Sequence, residues 1–361
     1  MVFLSQLSFA ILSTSLFLTG GSAVPDSPGN PLQLAKRFPD DWDTFNEWQG
    51  NCEIYPYRCT EIYDDAVGNF DKKAGTANWA GEECIEYAAT FSTEPIASGF
   101  AAAVYKGSLE TKKDGEVTKT QDVVFKRAPG ESSYEVLYGA SLAKDLSNYN
   151  DNILAPIDYF MSDPDGRKAG NAVYPYVSGG SIESNWGSFT SQDSVNNAFK
   201  QMLAAMNTVA SAGIIHRDIK PENFLLDGNT VKLIDFDTAI KADQSDFCFI
   251  GTDTYAAPEL VKPVGPYTNK VDTFSLAMSF MVMSVEDLRV ADTRFNFWRE
   301  MIQPNGKLWP SFDDIKGILG KKNYKVFNEN GKLLDVLAKA LCEQNARYTP
   351  QDFKTAFEGA I

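Results

Sequence analysis

His216-Arg217-Asp218-Ile219-Lys220-Pro221-Glu222-Asn223 contains the only histidine of the chain and sets a carboxylate, an ammonium and an amide at fixed offsets. Asp218 is a proton acceptor, Lys220 a cation two residues on, and Asn223 an amide suited to ligating a metal. The apolar stretch from Phe199 to Ile215 leads into this string with a helix-compatible pattern. Behind it, Phe224-Leu225-Leu226, the turn Asp227-Gly228-Asn229 and the alternating Val231-Lys232-Leu233-Ile234 predict a short hairpin. Asp235-Phe236-Asp237 follows that hairpin directly. An isolated His-Arg-Asp carries little weight, whereas Lys220, Asn223 and Asp235 in register with it point to a built catalytic loop.

The rest of the chain bounds what such a loop serves. A length of 361 residues allows one large or two ordinary domains, and 43% hydrophobic residues suffice for a sizeable core. Thirty-three Lys and Arg against 48 Asp and Glu give a net charge of -15, which disfavours nucleic acid or an anionic membrane as the main partner. A basic peptide or protein is the easier partner, although acidity also serves solubility alone.

At the amino terminus, Leu7 to Leu18 is apolar but too short to span a bilayer comfortably, and Gly21-Ser22-Ala23 precedes Val24-Pro25. Residues 1–23 read as a secretory signal peptide, which predicts a secreted protein with no stable membrane span after cleavage. No Lys or Arg precedes the apolar core, so a retained anchor is the competing reading. Residues 24–37 are Pro/Gly/Ser-rich and end in Lys36-Arg37, which resembles the dibasic site cut by kexin-type proteases; they read as a propeptide or a plain linker. Residues 38–92 are acidic and aromatic, with Trp42, Trp48 and Trp79, and read as an extension packed on the next domain. Of the five cysteines, Cys52, Cys59 and Cys84 fall in this extension, with Cys248 and Cys342 later. The odd count leaves at least one unpaired in the monomer, their connectivity is open, and no zinc spacing occurs.

From Ile96 to the carboxyl terminus the chain resembles the eukaryotic protein kinases, with motifs in that family's order. Ile96 to Lys106 looks like the hairpin that covers nucleotide phosphates, with Ala97, Gly99 and Val104 at its contact positions. The family pattern has Gly at 97, 99 and 102; Ala97 and Ala102 stand in two of those places. Gln121 to Arg127 reads as the third strand, placing Lys126 at the phosphates. Glu135, on a helix expected over Ser132 to Leu146, would be its ion-pair partner, although Gly139 stands where the family has a bulky apolar residue. Ala172 to Ser181 looks like the hinge between lobes, with Tyr174 controlling the pocket behind the adenine. There the Pro175 carbonyl and the Val177 amide would meet the adenine edge.

The resemblance assigns Asp218 to the proton of the attacking hydroxyl, Asn223 and Asp235 to metal, and Lys220 to the serine/threonine-directed form of the loop. Gly251-Thr252-Asp253-Thr254-Tyr255-Ala256-Ala257-Pro258-Glu259 resembles the end of an activation segment, a feature that small-molecule kinases of the aminoglycoside and choline classes typically lack. It implies that Thr252 contacts Asp218 and Lys220, that Glu259 pairs with Arg347, and that Asp272 braces the loop. Arg217 would receive an activating negative charge; the aligned position is Cys248, so Asp246 or a phosphate on Ser245 is the candidate. Asp237 departs from the family's glycine.

The implied fold is α+β and bilobal: a small antiparallel β-sheet lobe with one helix over 93–177 and a larger, mainly helical lobe over 178–361. The implied activity is transfer of the ATP γ-phosphoryl group to Ser or Thr of a protein with Mg2+ or Mn2+. A secreted pseudokinase acting as a binding protein is the alternative.

Overall fold

Among the described residues, strands predominate as far as Pro175 and helices after it. The computed structural model describes residues 67–361 apart from 82–84, 100–101, 131, 163–167, 246–249, 262–265, 305–308 and 323. The signal peptide and linker readings, Cys52, Cys59, Cys84, Cys248 and Asp246 lie outside the described residues. Among the described residues, no helix is long and apolar enough to cross a membrane.

Eight strands share one sheet: β1 (Val67–Asp71), β2 (Thr76–Ala80), β3 (Ile85–Phe91), β4 (Ala97–Ser98), β5 (Ala103–Lys113), β6 (Glu116–Pro129), β7 (Asp158–Ser162) and β8 (Ala169–Pro175). Their order is β3-β2-β1-β7-β8-β6-β5-β4, and β3 also pairs with β5 from Ile85↔Lys113 to Phe91↔Gly107. The sheet therefore closes on itself, with β4 left at its rim. The closing hairpin, β1 and β2, lies upstream of residue 93, within the segment expected to be an extension packed on the next domain. Its seam with β7 is parallel, Val67↔Met161 and Gly68↔Ser162, in an otherwise antiparallel sheet.

Burial explains the closure. Phe70, Trp79, Phe91, Tyr105, Leu109, Phe125, Phe160 and Val173 fill the interior. Phe70 stacks on Phe91 at 4.3 Å and Trp79 on Phe160 at 4.4 Å, while Trp79 Nε1 donates to Asp158 Oδ2 at 2.9 Å. Aromatic pairs of this kind add to the burial term, and the indole N–H finds the partner it needs.

Helix α1 (Ser132–Ser147) covers the sheet through Val136 and Ala140 against Ala128 and Ala172. The remaining helices are α2 (Gln192–Ser211), α3 (Pro258–Val261), α4 (Lys270–Ser284), α5 (Ala291–Ile302), α6 (Phe312–Lys321), α7 (Lys325–Glu329), α8 (Gly331–Leu341) and α9 (Pro350–Glu358). Every residue of α4 from Val271 to Met283 is buried, the expected place for a helix that is apolar nearly all round. The phenyl rings of Phe199 on α2, Phe280 on α4 and Phe357 on α9 meet edge-on at 4.8 to 5.1 Å. Between α2 and α4 in sequence run β9 (Ile214–Ile215), β10 (Phe224–Asp227), β11 (Thr230–Leu233) and β12 (Ile240–Lys241), in two small antiparallel pairs, β10-β11 and β12-β9. Cys342, at the end of α8, is a buried free thiol.

Trp79 ties the closing hairpin to β7, so Trp79→Ala is expected to destabilise the protein by about 3–5 kcal/mol in urea unfolding. A cost below about 1 kcal/mol would show that the hairpin is not part of the cooperative unit.

Candidate active site

The loop between β9 and β10 carries His216 to Asn223, and its shape is set from beneath by α4. Asp272, in the first turn of α4 and 1% exposed, accepts the amide of His216 on Oδ2 and that of Arg217 on Oδ1, both at 2.8 Å. Burial pushes Asp272 up to about 6, against the pull of those two hydrogen bonds. Arg217 is thereby held at a φ of 71°, in the left-handed region, as is Asp235 at 66°. Non-glycine residues there cost on the order of 1–3 kcal/mol, which the surrounding contacts must offset. The buried Arg217 guanidinium donates from Nε to the Thr238 carbonyl at 2.6 Å and from Nη1 to the Tyr267 hydroxyl at 3.3 Å. Ser245 exchanges two backbone hydrogen bonds with Tyr267, whose hydroxyl accepts from Arg217, so Ser245 is tied to a residue that Arg217 contacts.

Asp218 is the centre of a closed network. Its Oδ1 accepts from Thr252 Oγ1 at 2.8 Å, and its Oδ2 pairs with Lys220 Nζ at 2.9 Å. Lys220 Nζ also donates to Thr252 Oγ1 at 2.7 Å. Asn223 Nδ2 donates to the Asp218 carbonyl at 2.8 Å and to Asp218 Oδ2 at 3.2 Å. Gly251 makes the approach of Thr252 feasible: it has a φ of +86°, and a Cβ there would sit 2.3 Å from the Arg217 carbonyl oxygen. Farther back, the buried Glu259 and Arg347 form an ion pair, and Arg347 also donates from Nε to the Cys342 carbonyl at 2.9 Å.

On the sheet side, Lys126 of β6 lies opposite Val104 of β5 and Ala172 of β8, and Ala97 of β4 lies opposite Val104. Gly99 donates its amide to the Ala102 carbonyl at 2.9 Å, closing the hairpin at the rim. Tyr174 and Pro175 end β8, with Tyr174 packed against the cluster beneath α1 and Val177 just beyond the strand. Lys126 Nζ crosses to the helical part, 2.6 Å from Asp235 Oδ1 and 2.7 Å from Asp237 Oδ2. Burial works against the lysine's charge, but the two carboxylates hold its pKa above the ordinary value. Burial likewise opposes ionisation of Asp235, yet Lys126 holds it down to about 2.

The protein kinase domain family matches residues 92–355. The chain belongs to the protein kinase family. Among its relatives are mitogen-activated protein kinase kinase kinase 3 of Arabidopsis thaliana, 37% identical over 115 residues, which are 30% of this chain and 19% of the relative. Another is the serine/threonine-protein kinase H1 homolog of Danio rerio, 30% identical over 142 residues, 36% of this chain and 33% of the relative. The calcium/calmodulin-dependent protein kinase type II alpha chain of Drosophila melanogaster is 36% identical over 104 residues, 27% and 19% of the two chains. The match thus covers at most 33% of the length of these relatives.

Within the family pattern the structure brings Asp218, Lys220, Asn223 and Thr252 into one network and Lys126 onto Asp235. It corrects the assignment of Glu135, which sits on the exposed side of the first turn of α1 while the Lys126 ammonium is taken by Asp235 and Asp237. The reason lies at Gly139: a Cβ there would come within 2.7 Å of the Phe236 carbonyl carbon and 2.9 Å of the Asp237 amide nitrogen. Glycine lets α1 rest directly on the Phe236-Asp237 backbone, so Asp237 takes the place at the lysine. Its replacement of glycine was visible in the sequence, but its partner was not. Glu222 was also passed over: burial and the neighbouring Glu183 push it up to about 7, and its Oε2 is buried without a hydrogen-bond partner among the described residues.

His216 is fully buried against Phe236, ring centroids 4.8 Å apart, and burial lowers its pKa to about 4. Because the folded value lies below the ordinary 6.5, its contribution to stability is complete above 6.5 and is lost as the pH falls through the folded value. As the chain's only histidine it gives one imidazole signal, and proton NMR of untagged protein is expected to show that signal still neutral at pH 5. Titration near 6.5 would contradict its burial.

Proposed function

We propose that this chain transfers the γ-phosphoryl group of ATP to a serine or threonine hydroxyl of a protein substrate, with Mg2+ or Mn2+. The observation that carries the reading is the Asp218 network, in which one carboxylate is held by Thr252 and Lys220 and Asn223 is tied to Asp218 through its amide nitrogen. Asp218 orients the attacking hydroxyl and takes its proton, and Lys220 stands where charge develops on the transferred group. Lys126 steadies the nucleotide phosphates. The Pro175 carbonyl and Val177 amide meet the adenine edge, with Tyr174 behind it and Ala97, Gly99 and Val104 above the phosphates.

Among the described residues no trio of His, Cys, Asp or Glu is arranged for a metal ion by itself. Asp235 and the Asn223 amide are two hard oxygen donors, which suits a cation that completes its shell with phosphate oxygens and water. Bound there, the cation would neutralise the phosphate charge.

The net charge of -15 and the acidic pair Glu183 and Glu222 favour a basic substrate, whose cation would satisfy the Glu222 carboxylate. Entry into the secretory route remains part of the proposal, supported by the apolar stretch Leu7 to Leu18; it is tested by whether mature protein in the medium begins near Val24 or Phe38. The pseudokinase alternative draws on Lys126 being engaged by two carboxylates in place of phosphates.

With γ-labelled ATP, Mg2+ and a panel of basic and acidic proteins, wild type is expected to label Ser or Thr. Asp218→Asn should lose about 10²–10⁴-fold in rate, and Asp235→Asn should lose transfer as well. Folded wild type that labels nothing would leave the binding-protein reading.

A further inference from the structure

Asp235 and Asp237 meet the same ammonium at nearly equal distances, but their surroundings differ. The Asp235 side chain is 34% exposed, whereas those of Asp237 and Lys126 are 16% and 17%. Asp235 is therefore the more accessible of the two carboxylates, the one a cation and phosphates reach more readily, and Asp237 lies farther in. A carboxylate shared between a cation and an ammonium holds each less firmly than one given to the ammonium alone. The inner carboxylate has no such second duty.

The backbone that carries Asp237 is fixed on each side. Ala239 donates its amide to the Phe236 carbonyl at 2.9 Å, Arg217 Nε donates to the Thr238 carbonyl at 2.6 Å, and Thr238 Oγ1 donates to the His216 carbonyl at 2.9 Å. Gly139 brings α1 into direct contact with the Phe236-Asp237 peptide. The anchor for Lys126 is thus attached to the catalytic loop through Arg217 and His216.

We infer that Asp237 is a positioning residue that holds Lys126 at the nucleotide phosphates and frees Asp235 for the cation, the duty expected of a glutamate on α1. The inference rests on the nucleotide-binding reading above and goes beyond it, since it assigns the lysine's orientation to a position where the family has glycine. It also ties the lysine's placement to the catalytic loop through Arg217 and Thr238, in addition to the contact with α1 at Gly139.

The test is a double-mutant cycle on full-length protein, with Lys126→Met, Asp237→Asn and the pair, plus Glu135→Gln for comparison. Equilibrium binding of ATP is measured by displacement of a fluorescent nucleotide across a Mg2+ titration. Loss of one hydrogen bond to a charged group is expected to weaken binding in Asp237→Asn by about tenfold. The Mg2+ concentration at half saturation should rise with it, because Lys126 is left to compete for Asp235. In the Lys126→Met background Asp237→Asn should add little, and in the wild-type background its loss should exceed that of Glu135→Gln. An equal loss in both backgrounds, an unchanged Mg2+ requirement, or a larger loss in Glu135→Gln would overturn the inference. Wild type that binds ATP yet transfers no phosphoryl group removes the kinase reading while the cycle still decides this one; wild type that binds no ATP removes both.

Discussion

The Asp272 carboxylate receives the backbone amides of His216 and Arg217 from inside a helix whose central residues are all buried. Hydrogen bonds to a charged group contribute about 1.5–3 kcal/mol each, enough in pair to offset the left-handed strain at Arg217. From that turn everything else in the loop takes its direction. Asp218 points to Thr252, Arg217 reaches Thr238 and Tyr267, and the Gly251 turn can close over the Arg217 carbonyl. Without Asp272, two buried amides would lack partners and the chain would lose the reason to hold an unfavourable φ.

The strand part supplies a second constraint. Closing the sheet with β1 and β2 removes the open edges of β3 and β7 and buries an aromatic interior, so β6 is held on both sides by β5 and β8 within a closed ring. Lys126 projects from this ring to the Asp-Phe-Asp turn. The two parts thus meet at a lysine whose charge is matched on the opposite side by two partly buried carboxylates, Asp235 the more accessible of them.

Much of the site could be read from residue types at fixed offsets, because the loop is local: Asp218, Lys220 and Asn223 find one another within a single turn of chain. Thr252, Glu259, Asp272 and Arg347 were legible only through their likeness to an ordered set of motifs, since nothing in their spacing reveals a contact. Glu135 failed for a physical reason. Which acid reaches Lys126 depends on how closely the Phe236-Asp237 backbone can approach α1, and that is permitted by the missing side chain of Gly139, not by the sequence separation of the charges. The hairpin was half visible. Ala77 and Trp79 alternate with exposed Asn78 and Ala80 in the manner of a strand, but the parallel seam to β7 joins distant parts of the chain, and periodicity carries no register.

The metal–nucleotide complex proposed between Asp235, Asn223 and Lys126 would have the lone histidine, His216, buried beside it as a built-in reporter. The most direct measurement follows the His216 imidazole signal by NMR as Mn2+ and ATP are added together. Selective paramagnetic broadening that requires both additions and disappears in Asp235→Asn is expected. A signal that stays sharp in the wild type, or broadens equally in the variant, would contradict that placement of the complex.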